Sequence, residues 1–448
     1  MDELNYQNVL SYIRLSALQT DADGTTEEIL TYAVLNIRDS RVFAFDDHAS
    51  VVEDTSAVGS LLGNDYTVEG PLTVTSINYN GTDYPVTIGA AAVINTAQGV
   101  ITIQSNGSWS FSVADNLDNS LLQEVELVYT VVDVDGSVGT ANATFTVADG
   151  AAGSMADVIG TNTEVDIDAA AQNTLKTFTV LAGSDTLVAD SIRFTGLTPF
   201  QLANLGLTST GIALKFELSN NGKTLTAKTD DGAETLVFTI TLSAINVGDD
   251  LSVNATFTQS APLDHLSGDV VDIITQITAT DLDGTEITHG NLTWQVSDGN
   301  SPALANITQL TFDENNLLGN EIVKNGTFDV LVGSDAVTAV EFAAVSSQPK
   351  LTAGGEPIQY QVSADGLTLT GHTGDINSPV FIIELSETWS ATSDSINQAY
   401  SFTLYKAFDQ TLSEDIDFKL LIADFDGDSS LATLTVTVKD ANAATIND

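Results

Sequence analysis

The sequence predicts an all-β protein of several sandwich domains in tandem, and three observations carry that prediction. Short alternating segments rich in Val, Ile, Thr and Phe recur along the chain, as at 100–103 (VITI), 144–147 (TFTV), 239–242 (TITL) and 434–438 (LTVTV). Gly, Asn, Asp or Ser bounds each of them, the punctuation of strands and tight turns. Length is the third: 448 residues suit three or four domains of ordinary size better than one core. Many short strands separated by turn signals imply sandwiches or barrels. Helical periodicity is nearly absent; a turn at 199–204 (PFQLAN) and a short one at 6–15 are the expected exceptions.

The elements repeat. Four times an apolar strand leads into Asp-x-Asp-Gly, a second strand and a closing Asp. The turns are Asp21-Ala22-Asp23-Gly24, Asp133-Val134-Asp135-Gly136, Asp281-Leu282-Asp283-Gly284 and Asp424-Phe425-Asp426-Gly427. Asp39, Asp149, Asp298 and Asp440 close them, 14 to 16 residues after the second Asp of each turn. The last two units also match internally, 216–226 (FELSNNGKTLT) against 360–370 (YQVSADGLTLT) and Gly183-Ser184-Asp185 against Gly333-Ser334-Asp335. Ending each domain after its closing Asp gives a truncated unit at 1–42, a shorter one at 43–150, and long ones at 151–305 and 306–448. The first unit holds one strand pair, so the whole is expected to be a fragment of a longer chain.

Charge narrows the function. Sixty-one Asp and Glu face 13 Lys and Arg, a formal net charge of −48. Binding phosphate needs clustered cations, which excludes nucleic acid, and an anionic membrane surface is excluded likewise. Self-repulsion on this scale calls for neutralisation. There is no cysteine, so any staple is something other than a disulfide. No apolar run is long enough to span a membrane, and the first residues lack the features of a signal peptide.

At 43–150 the residues resemble the cadherin-like, VCBS-type repeats of large type I secreted bacterial adhesins of the RTX class. Carrying the resemblance are Asp46-Asp47-His48-Ala49 with Glu53-Asp54-Thr55, Gly63-Asn64-Asp65, Leu72-Thr73-Val74, 99–103 (GVITI) leading to 106–111 (NGSWSF), and 129–136 (YTVVDVDG). The stretch 151–448 resembles the longer tandem repeats of the same proteins. The resemblance implies immunoglobulin-like or cadherin-like sandwiches in an elongated array. It also implies an extracellular, calcium-dependent chain on the bacterial cell surface, serving attachment or biofilm formation.

Asp-x-Asp-Gly sets two carboxylates on one side of a tight turn, with Gly supplying the backbone freedom. Calcium takes several oxygen ligands in a forgiving geometry. One copy is an ordinary turn; four in register, in so acidic a chain without cysteine, point to metal. In a seven-stranded sandwich the turn between the last two strands lies at the pole facing the preceding domain. That groups Asp133 and Asp135 with Asp39, Asp46 and Asp47; Asp281 and Asp283 with Asp149; and Asp424, Asp426 and Asp428 with Asp298. Asp21 and Asp23 form the turn of the truncated unit.

Other chemistry is not expected. His48, His265, His289 and His372 show no ligand spacing and read as surface or turn residues. Trp109, Trp294 and Trp389 read as core. Repeated acidic turns do not suit a glycosidase, and no Gly-x-Ser-x-Gly elbow precedes a helix. The expected partners are neighbouring repeats of the same chain, with the molecule a monomer. The alternative is that 151–305, with its insertion at 197–206 (LTPFQLANLG), is itself a calcium-dependent binder of a surface peptide or glycan.

Overall fold

A computed structural model describes residues 9–37, 40–196, 206–266, 268–317, 319–386, 390–391, 395–410 and 412–441. Among them there is no α-helix, only strands and three single-turn 3-10 segments. The chain divides into two compact units, one of residues 1–153, 182–186 and 281–285, the other of 154–181, 187–280 and 286–448.

The first unit begins with a long hairpin, Val9–Thr20 paired antiparallel with Thr26–Ile37 through twelve residue pairs. This overturns the helical turn expected at 6–15, whose described part is strand. Pairing along the whole hairpin satisfies the backbone that an isolated helical turn would leave open. Ile13, Leu18, Ile29 and Tyr32 on it are exposed. A sandwich follows. One sheet orders Asp47–Val52, Val138–Ala148, Gln123–Val132, Thr73–Tyr79 and Thr82–Pro85. The other orders Ser56–Ser60, Ser108–Val113, Gly99–Ile103 and Ala92–Thr96. Alternation along Gln123–Val132 turns Val125, Leu127, Tyr129 and Val131 inward. They meet Ile94, Ile101 and Phe111 of the facing sheet in one core. Trp109 packs edge-on against Phe145 with ring centres 4.9 Å apart.

The second unit holds two pairs of sheets. The first pair sets Val158–Thr163, Gly290–Ser297, Val270–Thr278 and Arg193–Thr195 with a six-stranded sheet running from Gln172–Val180 to Thr208–Ser209. Phe238, Phe257 and Trp294 stack through its core. The second pair sets Leu310–Asp313, Ser429–Lys439, Glu414–Ala423 and Ala339–Phe342 with a seven-stranded sheet that includes Ile322–Leu331 and Ser395–Leu404. Phe312, Phe381, Phe402 and Phe418 fill its core. The segments matched in sequence occupy the same place: Ile212–Ser219 with Thr224–Thr229, and Gln359–Val362 with Thr368–His372, are hairpins in corresponding sheets. A register shift follows each, at Ala227/Lys228 and at Gly371/His372.

Three times the first strand pairs parallel with the last. Asp47–Val52 lies along Val138–Ala148, Val158–Thr163 along Gly290–Ser297, and Leu310–Asp313 along Ser429–Lys439. The pairing brings the end of the first strand beside the closing Asp, as where Glu53 N–H donates to the Ala148 carbonyl at 3.0 Å.

Candidate cation-binding clusters

The four Asp-x-Asp-Gly turns share one conformation. In each the first Asp N–H donates to the carbonyl four residues on, Asp21 to Thr25, Asp133 to Ser137, Asp281 to Thr285 and Asp424 to Asp428, at 3.0 to 3.1 Å. Their glycines all have φ between 93° and 106°, where a side chain would be strained. In the first three, the first Asp also accepts the backbone N–H four residues on through Oδ1, at 2.7 to 3.0 Å. The loop thereby turns both carboxyls of the motif to one side.

Two large acidic clusters form, one in each unit. In the first unit Glu53, Asp149 and Asp185 bring carboxyl oxygens within 4.8 Å of one another, as do Asp185, Asp281 and Asp283. Asp185 belongs to both sets. Glu53 is 1% and Asp185 3% exposed. Burial, then Glu53, Asp283 and Asp149, push the Asp185 carboxyl up to about 7. Burial and the adjacent Asp283 push Asp281 to about 7. Asp185 lies in hydrogen-bond contact with Glu53, and Asp281 with Asp283. Two carboxyls so placed need a proton or a cation between them. Among the described residues no Lys, Arg or His forms an ion pair with any of the five.

The backbone around this cluster is tight. Ala151 N–H donates to Ser184 Oγ at 2.7 Å and Ser184 N–H returns to the Ala151 carbonyl at 2.9 Å. A Cβ on Gly183 would lie 1.6 Å from the Ala151 oxygen, so glycine is obligatory beside Ser184-Asp185.

In the second unit Asp298, Asp335 and Asp426 form one set, and Glu164, His265 and Asp298 another. Burial, then Asp426 and Asp298, push Asp335 up to about 7. Burial, then Asp426, push Asp424 to about 7. Asp428 is raised chiefly by its hydrogen-bond contact with Asp298. Asp424 Oδ1 and Asp426 Oδ1 are buried without a hydrogen-bond partner.

A smaller set in the first unit joins Asp133 and Asp135 to Glu69. Burial works to raise the Asp133 carboxyl, but Asp135 and the N–H groups of Ser137 and Gly136 outweigh it and hold it low. Glu69 Oε2 is buried without a partner.

The predicted groupings fare unevenly. Asp149 joins Asp281 and Asp283 only through Asp185, which stands in both sets, and Asp298 lies with Asp426 and Asp428. Asp46 and Asp47 are not with Asp133 and Asp135, a correction with a clear cause. Asp46 Oδ1 accepts Asn142 N–H at 2.8 Å, and Asp47 Oδ2 accepts the Tyr129 hydroxyl at 2.9 Å beside Asp65. They tie the first strand to the sandwich. Asp157 accepts Asn291 N–H at 2.9 Å in the corresponding place of the second unit. Asp21 and Asp23 stay exposed, hydrogen-bonded within their own turn, and join none of the clusters. Asp39 lies outside the described residues, as do Trp389 and 197–205 of the insertion.

The residues missed by sequence include three buried glutamates. Glu53, Glu164 and Glu314 each directly follow a first strand and accept, through Oε1, the N–H of Leu117, Leu263 and Phe408 respectively. The signal for Asp185 and Asp335 was the repeated Gly-Ser-Asp. His265 is not the surface residue expected: it is 5% exposed, set against Glu164. A groove of about 550 Å³ lies over Gly326, Glu384 and Tyr400, and no cluster residue lines it.

Residues 39–154 match the sequence profile of the bacterial Ig domain, so the chain carries a bacterial Ig-like domain. No curated protein matches the chain. Solved structures similar to it include the titin I-band fragment I67–I69, 6% identical over 89% of this chain and 98% of that one, with a TM-score of 0.25. Sidekick-1 immunoglobulin domains 1–4 are 11% identical over 98% and 92%, with a TM-score of 0.22. The human desmocollin-1 ectodomain is 12% identical over 98% and 86%, with a TM-score of 0.24.

Proposed function

We propose that this chain is a calcium-stiffened extender of a bacterial surface adhesin, a non-enzymatic stretch that projects an attachment module away from the cell. One observation carries the reading: carboxyls in mutual contact, several of them buried and drawn from separate loops, with no Lys or Arg among the described residues paired to them. Among metal ions, a hard, oxygen-loving cation suits such a donor set. Asp185, Asp281, Asp283, Glu53 and Asp149 would hold it in the first unit, and Asp298, Asp335, Asp424, Asp426 and Asp428 in the second. The ion would supply the positive charge that the sequence withholds. The bacterial Ig-like domain supports an extracellular structural role. Type I export, attachment or biofilm formation, and a monomer joined only to neighbouring repeats belong to the same proposal.

Calorimetry with calcium and with chelator tests it. Extracellular modules bind calcium with Kd near 10⁻⁴–10⁻³ M. A hundredfold excess over Kd adds about 2.7 kcal/mol per site, enough to raise melting by several degrees. Magnesium should substitute poorly, since it gives up its water reluctantly. Melting indifferent to calcium and chelator alike would end this reading.

A further inference from the structure

The second unit's cluster differs from the first in one atom type. The residue two after the backbone N–H that holds each of the Glu53, Glu164 and Glu314 carboxylates contacts that carboxylate or the last strand of its sandwich. It is Asn119 in one sandwich, His265 in the next and Gln410 in the third. Asn119 Nδ2 donates to Glu53 Oε2 at 3.2 Å. Gln410 Nε2 donates to the Val438 carbonyl at 3.2 Å. His265 Nε2 lies 3.0 Å from the Val296 carbonyl. A carbonyl only accepts, so Nε2 carries a proton, and in the neutral imidazole Nδ1 presents its lone pair. Nδ1 points to Glu164 Oε2 at 3.5 Å, with an Asp298 oxygen within 4.8 Å. Both His265 Nδ1 and Glu164 Oε2 are buried without a hydrogen-bond partner, in side chains 2% and 0% exposed.

We propose that His265 Nδ1, Glu164 Oε2 and an Asp298 carboxylate oxygen form a site for a zinc-class transition ion, absent from the other two sandwiches. Three features support it. Imidazole nitrogen is a poor calcium ligand but a preferred zinc ligand. Tetrahedral zinc with bonds near 2.0–2.2 Å sets its ligands about 3.3–3.5 Å apart; His265 Nδ1 and Glu164 Oε2 stand 3.5 Å apart, and the Asp298 oxygen lies within 4.8 Å of both. An imidazole whose other N–H is pinned by a backbone carbonyl is the usual support of a ligating histidine. The inference goes beyond the calcium reading and stands without it.

Zinc titration of the whole chain by calorimetry, in excess calcium, tests it, with cobalt(II) absorption as the reporter of nitrogen ligation. Wild type should bind one zinc ion that His265→Asn and His265→Gln each weaken at least tenfold. These variants install the residue types found at 119 and 410, so they should fold, and their calcium-dependent melting should match wild type. Loss of zinc binding with the calcium shift retained supports the proposal. Zinc binding equal in all three proteins, or absent from wild type, overturns it. An absent calcium shift would remove only the extender reading.

Discussion

At the scale of single residues, the crowded carboxyls make stability depend on pH in a defined direction. Asp185, Asp281, Asp335 and Asp424 titrate near 7 in the fold, against about 3.9 for an unfolded aspartate. Between those values the folded state holds more protons than the unfolded, so stability falls as pH rises. The gain is complete below about pH 4 and gone above about 7. With chelator present, melting should therefore drop steadily from pH 5 to pH 8. Calcium should flatten that profile, because it takes the place of the protons. Asp185→Asn and Asp281→Asn should each reduce the slope in chelator; an unchanged slope would mean the carboxyls do not repel. Which acids matter was half legible beforehand. Asp281 and Asp283 advertise themselves by a turn motif, whereas Glu53 and Glu164 become ligand candidates only because parallel pairing sets the end of a first strand against a last strand. Asp46 and Asp47 misled for the same reason: their acidity is visible, but the Asn142 amide and Tyr129 hydroxyl that occupy them are not.

At the scale of elements, strands and turns were readable because alternation and Asp-Gly punctuation are local. The hairpin at 9–37 was misread at its start because its apolar residues suit either period and its partner strand decides. The contact between the loop at 182–186 and the segment after Asp149 was not readable at all. It rests on Gly183, where a Cβ would collide with the Ala151 carbonyl. Backbone cannot yield as a side chain can, so Gly183→Ala should cost about 3 kcal/mol and abolish calcium stabilisation of the first unit's cluster. Gly232→Ala, where a Cβ meets open space, serves as the control and should change melting little. Equal melting of the two variants would remove the packing argument.

At the scale of the whole molecule, the parallel pairing of first and last strands has a mechanical consequence. Tension entering at the start of Asp47–Val52 and leaving at the end of Val138–Ala148 pulls the two strands along their length. Every ladder hydrogen bond then resists at once. Tension applied across the antiparallel pair Gln123–Val132 and Val138–Ala148 from its open end breaks the bonds one by one. The sandwich should thus be stiff along one axis of pulling and weak along another. The absence of cysteine allows handles to be placed at will. Force spectroscopy with cysteines at His48 and Ala148 should give a rupture force severalfold higher than with cysteines at Glu124 and Thr146. Equal forces would show that strand direction confers no mechanical advantage. The same first-to-last pairing recurs at Val158–Thr163 with Gly290–Ser297 and at Leu310–Asp313 with Ser429–Lys439. A pull on the chain's ends therefore meets each sandwich along its strongest direction, and rupture should come in discrete steps, one sandwich at a time.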